Sequence, residues 1–199
     1  MVEDRAREDI AFIRRAIEDG GAYATARSPD MLVWGIAVAI GYLATYSFVR
    51  GWSSVGPNAV WTTCIILPWL YSLRHVARHT IGGEPVARRP MAQALAMLWL
   101  GTGVFITITV IVAMATGAAR EGWSSAVIAG AIGVGFFASS SLGNLPWLRW
   151  VGVGWWLGEL ALFALRHEPE ALPLAAALYL LLLAAPGYVL WSRRGHRAG

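Results

Sequence analysis

The chain has 199 residues, 57% hydrophobic and 14% charged, against the roughly 25% charged usual in a soluble domain. That balance excludes an ordinary water-soluble globular protein. All 16 basic side chains are arginine, the formal net charge is +4, and the single cysteine, Cys64, rules out an intrachain disulfide framework and a cysteine-based zinc site.

Residues 1–27 carry eleven charges, which a cleaved secretory signal would not, so they are expected to remain as a cytoplasmic segment. Within them, 2–19 reads as an amphipathic helix. Ile10, Ile13 and Ile17 form a narrow seam with Ala6, ion pairs are spaced four apart (Glu3 with Arg7, Arg14 with Glu18, Arg15 with Asp19), and Gly20-Gly21 is the expected stop. Six acids against four arginines make this helix acidic, whereas a helix meant for anionic lipid is basic. A protein surface is therefore the more natural host for the Ile10, Ile13 and Ile17 face, whether on a separate partner, a second copy or the chain's own membrane domain.

A helix that crosses a membrane needs about 20 mainly apolar residues at about 1.5 Å rise each. Six stretches meet that requirement: 31–49, 57–73, 91–116, 123–143, 147–165 and 171–191. The expected fold is all-α, a polytopic bundle of six transmembrane helices over 28–192, preceded by the amphipathic helix and linker of 1–27 and followed by a basic tail, 193–199. Ser28-Pro29-Asp30 supplies a capping oxygen, a first-turn proline and an acid at the positive end of the first helix. Pro68 and Pro186 should bend the second and sixth.

Orientation follows from arginine. With a cytoplasmic N-terminus the inner segments hold Arg5, Arg7, Arg14, Arg15, Arg27, Arg74, Arg78, Arg88, Arg89, Arg149, Arg193, Arg194 and Arg197, and the outer loops only Arg50, Arg120 and Arg166. Thirteen against three in short loops places both termini in the cytoplasm. The same distribution puts the basic excess beside anionic lipid headgroups and argues against nucleic acid. Trp34, Trp69, Trp147, Trp150 and Trp191 fall at the inner boundary and Trp52, Trp61 and Trp123 at the outer, as interfacial anchors do. Trp99, Trp155 and Trp156 fall near mid-membrane and need another explanation.

Gly51-Trp52-Ser53-Ser54 recurs as Gly122-Trp123-Ser124-Ser125, and Leu67-Pro68-Trp69-Leu70 as Leu145-Pro146-Trp147-Leu148. The order suits a duplicated hairpin, with an insertion to reconcile the unequal offsets. Helix packing is expected where small residues recur, at Gly154 and Gly158 on the fifth span and Gly130 and Gly133 on the fourth, which makes these two spans the tight centre.

Glu159 is the one acid well inside a span, about 10 Å deep from its nearer end. A charge there costs about 3 kcal/mol on insertion scales unless it is protonated, paired or wetted. Arg166, two turns on, could bend back to it, and Tyr42, Thr63, Cys64, Thr109 and Tyr179 lie at similar depth on other helices. The carboxylate is either a proton or cation site or a structural group that fixes helix pairing. His75 and His79 share a helical face, but Arg74 and Arg78 flank them and no acid or thiolate completes a metal set, so no metal is expected. Zincin, phosphate-loop, paired-carboxylate and nucleophile-elbow motifs are absent, the run Ser139-Ser140-Ser141 has no histidine on its helix, and neither an enzyme nor a cofactor is expected.

The start, Asp9-Ile10-Ala11-Phe12-Ile13-Arg14-Arg15, with Trp34-Gly35 and Gly41-Tyr42-Leu43, resembles small uncharacterised multi-spanning bacterial inner-membrane proteins over about the first 45 residues. The resemblance implies location in a bacterial cytoplasmic membrane and no activity. The expected function is a non-enzymatic accessory or regulatory subunit that contacts lipid and binds a protein partner or a second copy. The alternative is a small transporter or channel around Glu159.

Overall fold

A computed structural model describes Arg7 and residues 20–81, 90–118 and 122–195, with the helical backbone alone at 75–81 and 193–195. Ile10, Ile13 and Ile17 lie outside the described residues, as do the side chains of His75 and His79. The described residues are helical and contain no strand. A short helical segment, 20–26, leads into α1 (Ser28–Val49), followed by α2 (Pro57–Ile81), α3 (Pro90–Thr116), α4 (Trp123–Leu142), α5 (Leu148–Ala164) and α6 (Ala171–Tyr179); a π-helical turn, Leu180–Ala184, joins α6 to α7 (Ala185–Gly195).

These helices coincide with the six expected apolar stretches. Four are long and apolar enough to cross a membrane: Ser28–Val49, Pro90–Thr116, Trp123–Leu142 and the combined Ala171–Ser192. The α5 helix has 17 residues, about 26 Å of rise, short of a hydrocarbon layer of about 30 Å. The α2 helix is long enough, but Asn58, Thr62, Thr63 and Ser72 dilute its apolar run.

The helices form two groups. In one, α1 is the hub, packed against α2, α6, the π turn and α7. In the other, α4 packs against α3 and, in the most extensive contact of the molecule, against α5. The contact between α5 and α6 closes the back of the bundle. A core around Trp155, Phe136 and Leu148 fills the space between α1, α4, α5 and α6.

Glycine sets the closest crossings. A β-carbon on Gly152 would lie 2.8 Å from the Gly133 carbonyl oxygen and 3.0 Å from the Phe137 nitrogen, so α4 and α5 approach backbone to backbone. Gly154 and Gly158 serve a different neighbour: the side chains of Leu182 and Leu178 from the last span sit on them. Gly35 of α1 meets the Ala184 backbone in the same way.

Two local expectations are corrected, and the helix that Gly20 and Gly21 were expected to stop lies outside the described residues; both glycines are themselves helical, in 20–26. Their missing side chains let this backbone press on the C-terminal end of α4, where a β-carbon on Gly20 would collide with the Leu142 carbonyl oxygen. Ser28 does not cap α1; Arg27 holds the cap position and the Ser28 hydroxyl donates back to the Thr25 carbonyl at 2.7 Å. The paired tetrapeptides do not occupy equivalent places, so no duplicated hairpin is seen. Gly51, at φ +74°, closes α1 in a Schellman turn (Trp52 N–H to the Ser47 carbonyl, 2.8 Å), whereas Gly122, also at +74°, opens α4. Leu67-Pro68-Trp69-Leu70 lies within α2, and Leu145-Pro146-Trp147-Leu148 forms the turn into α5.

Candidate functional site: an aromatic cleft and a carboxyl group at a helix seam

The two helix groups enclose a cleft of about 1750 Å³, larger than the roughly 300–1,000 Å³ of a small-molecule pocket. Its walls are α1 and α2 on one side and α3 and α4 on the other. It runs from Tyr23, Arg27 and Asp30 at one end to Arg166, His167 and Glu168 at the other. From Asp30 to Val49 along α1 that is about 28 Å, close to a bilayer's apolar thickness.

Indole and phenol rings from α1, α2, α3 and α6 line it: Trp34 and Tyr42, Trp61 and Trp69, Trp99, and Tyr179. Trp34 meets Trp69 edge to face at 5.8 Å, and a ladder crosses four helices: Trp155 to Tyr179 at 5.0 Å, Tyr179 to Tyr42 at 5.7 Å, Tyr42 to Trp61 at 4.9 Å. Such ring pairs contribute about 0.5–1.5 kcal/mol each beyond area burial. Trp34, Trp61 and Trp69, expected as boundary anchors, thus turn inward, while Trp52, Trp150 and Trp191 stay exposed as anchors should.

Polar groups along the wall satisfy one another. Tyr42 donates to Ser125 Oγ at 2.9 Å and Trp99 Nε1 to Ser139 Oγ at 3.0 Å. At one end, Asp30 is buried at 6% exposure, paired with Arg27 (Nε to Oδ2, 3.0 Å), and accepts from Ser72 (3.1 Å), which in turn accepts from Trp34 Nε1 (3.1 Å). Sequence reasoning treated Asp30 only as a helix-end acid. The signal for more was Trp34 one turn away, an indole donor beside an acid. Beyond α1, Arg50 ties its own loop to the turn between α5 and α6 through Glu170 at 2.6 Å while Nε donates to Tyr46 Oη at 3.0 Å, and these partners raise its pKa, the Tyr46 hydrogen bond first.

The expected polar set does not assemble. Tyr42 and Tyr179 come together in the ladder. Thr63 and Thr109 spend their hydroxyls on their own helices, at the Ala59 and Phe105 carbonyls. Arg166 is exposed, donates to the Phe163 carbonyl at 3.0 Å and does not pair with Glu159. Cys64 is half-buried and free.

Glu159 lies off the cleft, on the seam between α5 and α4. Its carboxyl group rests on Gly130: a β-carbon there would come within 2.6 Å of Oε2 and 2.8 Å of Oε1. One turn earlier Trp156 donates to the Gly130 carbonyl at 3.3 Å and stacks on Phe137. Glu159 is half-buried, Phe163 one turn further along α5 is exposed, and no donor among the described residues reaches it. No metal-ligand cluster is found among the described residues. Compared with protein-family models, curated proteins and solved structures, the chain matches none.

Proposed function

We propose that the chain is a non-enzymatic membrane subunit, crossing six times with both termini in the cytoplasm of a bacterial cell, that assembles with a partner's transmembrane helix. Glu159 carries the proposal. A carboxyl group at that depth costs about 3 kcal/mol on insertion scales unless something compensates it, and its own helices offer only the Gly130 surface. Glu159 is only half-buried and Phe163, one turn further along α5, is exposed, so the carboxyl is open to a neighbouring helix. The missing group is a donor on another chain: an arginine, a lysine or a polar amide in a membrane helix. The acidic helix of 2–19, with Ile10, Ile13 and Ile17, supplies a second contact outside the membrane.

A proton- or cation-carrying role at Glu159 fits less well, because a permeation path needs the carboxyl on a continuous polar lining and the cleft passes it by. Co-purification from gentle detergent tests the proposal. Glu159→Leu should lose the partner while the bundle keeps its unfolding temperature; Glu159→Gln, which still accepts and donates, should retain part of it. Equal recovery of a partner with both variants contradicts the proposal.

A further inference from the structure

We infer that the aromatic cleft is a binding site for the acyl chains of bilayer phospholipid, which enter sideways between α2 and α3. Both helices are held on one side only, α2 by α1 and α3 by α4. Between them the Trp69 ring comes within 3.9 Å of the β-position of Gly103, a van der Waals contact that bridges the gap at that level, and of α3 only Ala92, Leu95 and Ala113 are buried. The entry lies along the rest of the gap, where the two helix backbones stay apart.

The end near Asp30 is covered. Segment 20–26 leaves α1 and crosses to the ends of α3 and α4: Gly20 lies on the Leu142 carbonyl and 3.4 Å, measured from its β-position, from Met91 Cβ. The Ala24 methyl lies 3.5 Å from the β-position of Gly143, while Ala22, Tyr23 and Ala26 face the cleft. This strap stands between water and the apolar interior at that end.

The lining selects the occupant. Tyr42, Trp34 and Trp99 have their donors engaged, and Thr45, Thr102 and Thr107 bond back to their own helices. An ion or sugar that drew on these groups would have to break those bonds, at about 1–3 kcal/mol for each buried group left unpaired. An aliphatic chain asks for none and gains from the ring faces. Arg27 and Asp30 at one end, and Arg166 and Glu168 at the other, put charged side chains where headgroups from either leaflet would lie.

Photolabelling tests the inference without reference to a partner. The full-length protein in phospholipid vesicles containing a trace of phospholipid with a diazirine in its acyl chain is irradiated, and adducts are mapped by peptide mass. Adducts are expected on Trp61, Trp69, Trp99 and Ile106 inside the cleft as well as on outward-facing Leu160. Gly103→Trp, which fills the cleft, should remove the cleft adducts and spare those on Leu160; Ala96→Phe serves if that variant does not fold. Absence of cleft adducts, their persistence in both filled variants, or a protein cross-link at these residues in native membranes with no lipid adduct would overturn it.

Discussion

Trp155 donates its indole N–H to the carbonyl of Leu182 at 3.1 Å, the group that Pro186, four residues further on, cannot serve because it has no N–H. The last span leaves α geometry in the turn Leu180–Ala184, with Ala185 bonding back to Leu180, and Trp155, at 0% exposure, fills the place of the missing donor. A proline on one helix and a tryptophan on another thus act as a pair.

Trp155→Phe should therefore destabilise the bundle by about 1–3 kcal/mol, the cost of an unpaired buried carbonyl, read by unfolding in mixed micelles. In a Pro186→Ala background, where a backbone N–H is restored, the same change should cost less. An equal cost in both backgrounds would show that the indole is valued only for its bulk.

The seam between α4 and α5 predicts a contrast between two glycines. Gly152→Ala puts a methyl against the Gly133 carbonyl oxygen and should cost about 1–3 kcal/mol as an overpacked crossing. Gly101→Ala, with nothing within 4 Å of its β-position, should be neutral or stabilising by up to about 1 kcal/mol. Comparable losses from both would mean the close crossing is absent.

Depth was legible in the sequence and direction was not. Rise per residue fixes how far along a helix a side chain sits, so most helix ends were found within a few residues, although α2 runs on to Ile81, and Tyr42 and Tyr179, read as level with one another, meet across α1 and α6. Which way each points around its helix depends on amphipathicity, and helices that are apolar all round carry almost none. That is why Glu159 was grouped with two tyrosines that face the cleft while it faces the seam. Trp34, Trp61 and Trp69 were misdirected for the same reason. Gly154 and Gly158 were found as a stripe of small residues, but Gly152, which makes the tightest crossing of α4 and α5, has no small residue at the matching spacing to mark it.

The Arg27–Asp30–Ser72 cluster joins α1 to α2 at the strap end. Arg27→Met removes the Nε bond to Asp30 Oδ2, and should destabilise in the same direction as Ser72→Ala but by more, because the buried carboxylate loses a charged partner where Ser72→Ala removes a neutral donor. Loss from Ser72→Ala equal to or greater than that from Arg27→Met would contradict the ion pair's role.

Tyr23 gives the strap a pH dependence. Burial raises its phenol pKa above 10.0, opposed by Arg27 and aided by Asp30. A group with a raised folded-state pKa contributes stability that is present below its unfolded value and lost as pH climbs through the folded one. Strap docking should therefore hold at neutral pH and loosen above about pH 10, seen as faster thiol labelling of an Ala96→Cys reporter in a Cys64→Ser background. Tyr23→Phe should remove that alkaline step, and an unchanged step would assign it to another group.

The mass of the tagged full-length chain, extracted in gentle detergent and measured intact, tests the central claim most directly. The account predicts an assembly containing a second polypeptide whose recovery falls with Glu159→Leu. A monomer that carries only lipid, with a mass unaltered by that substitution apart from the side chain itself, would contradict it.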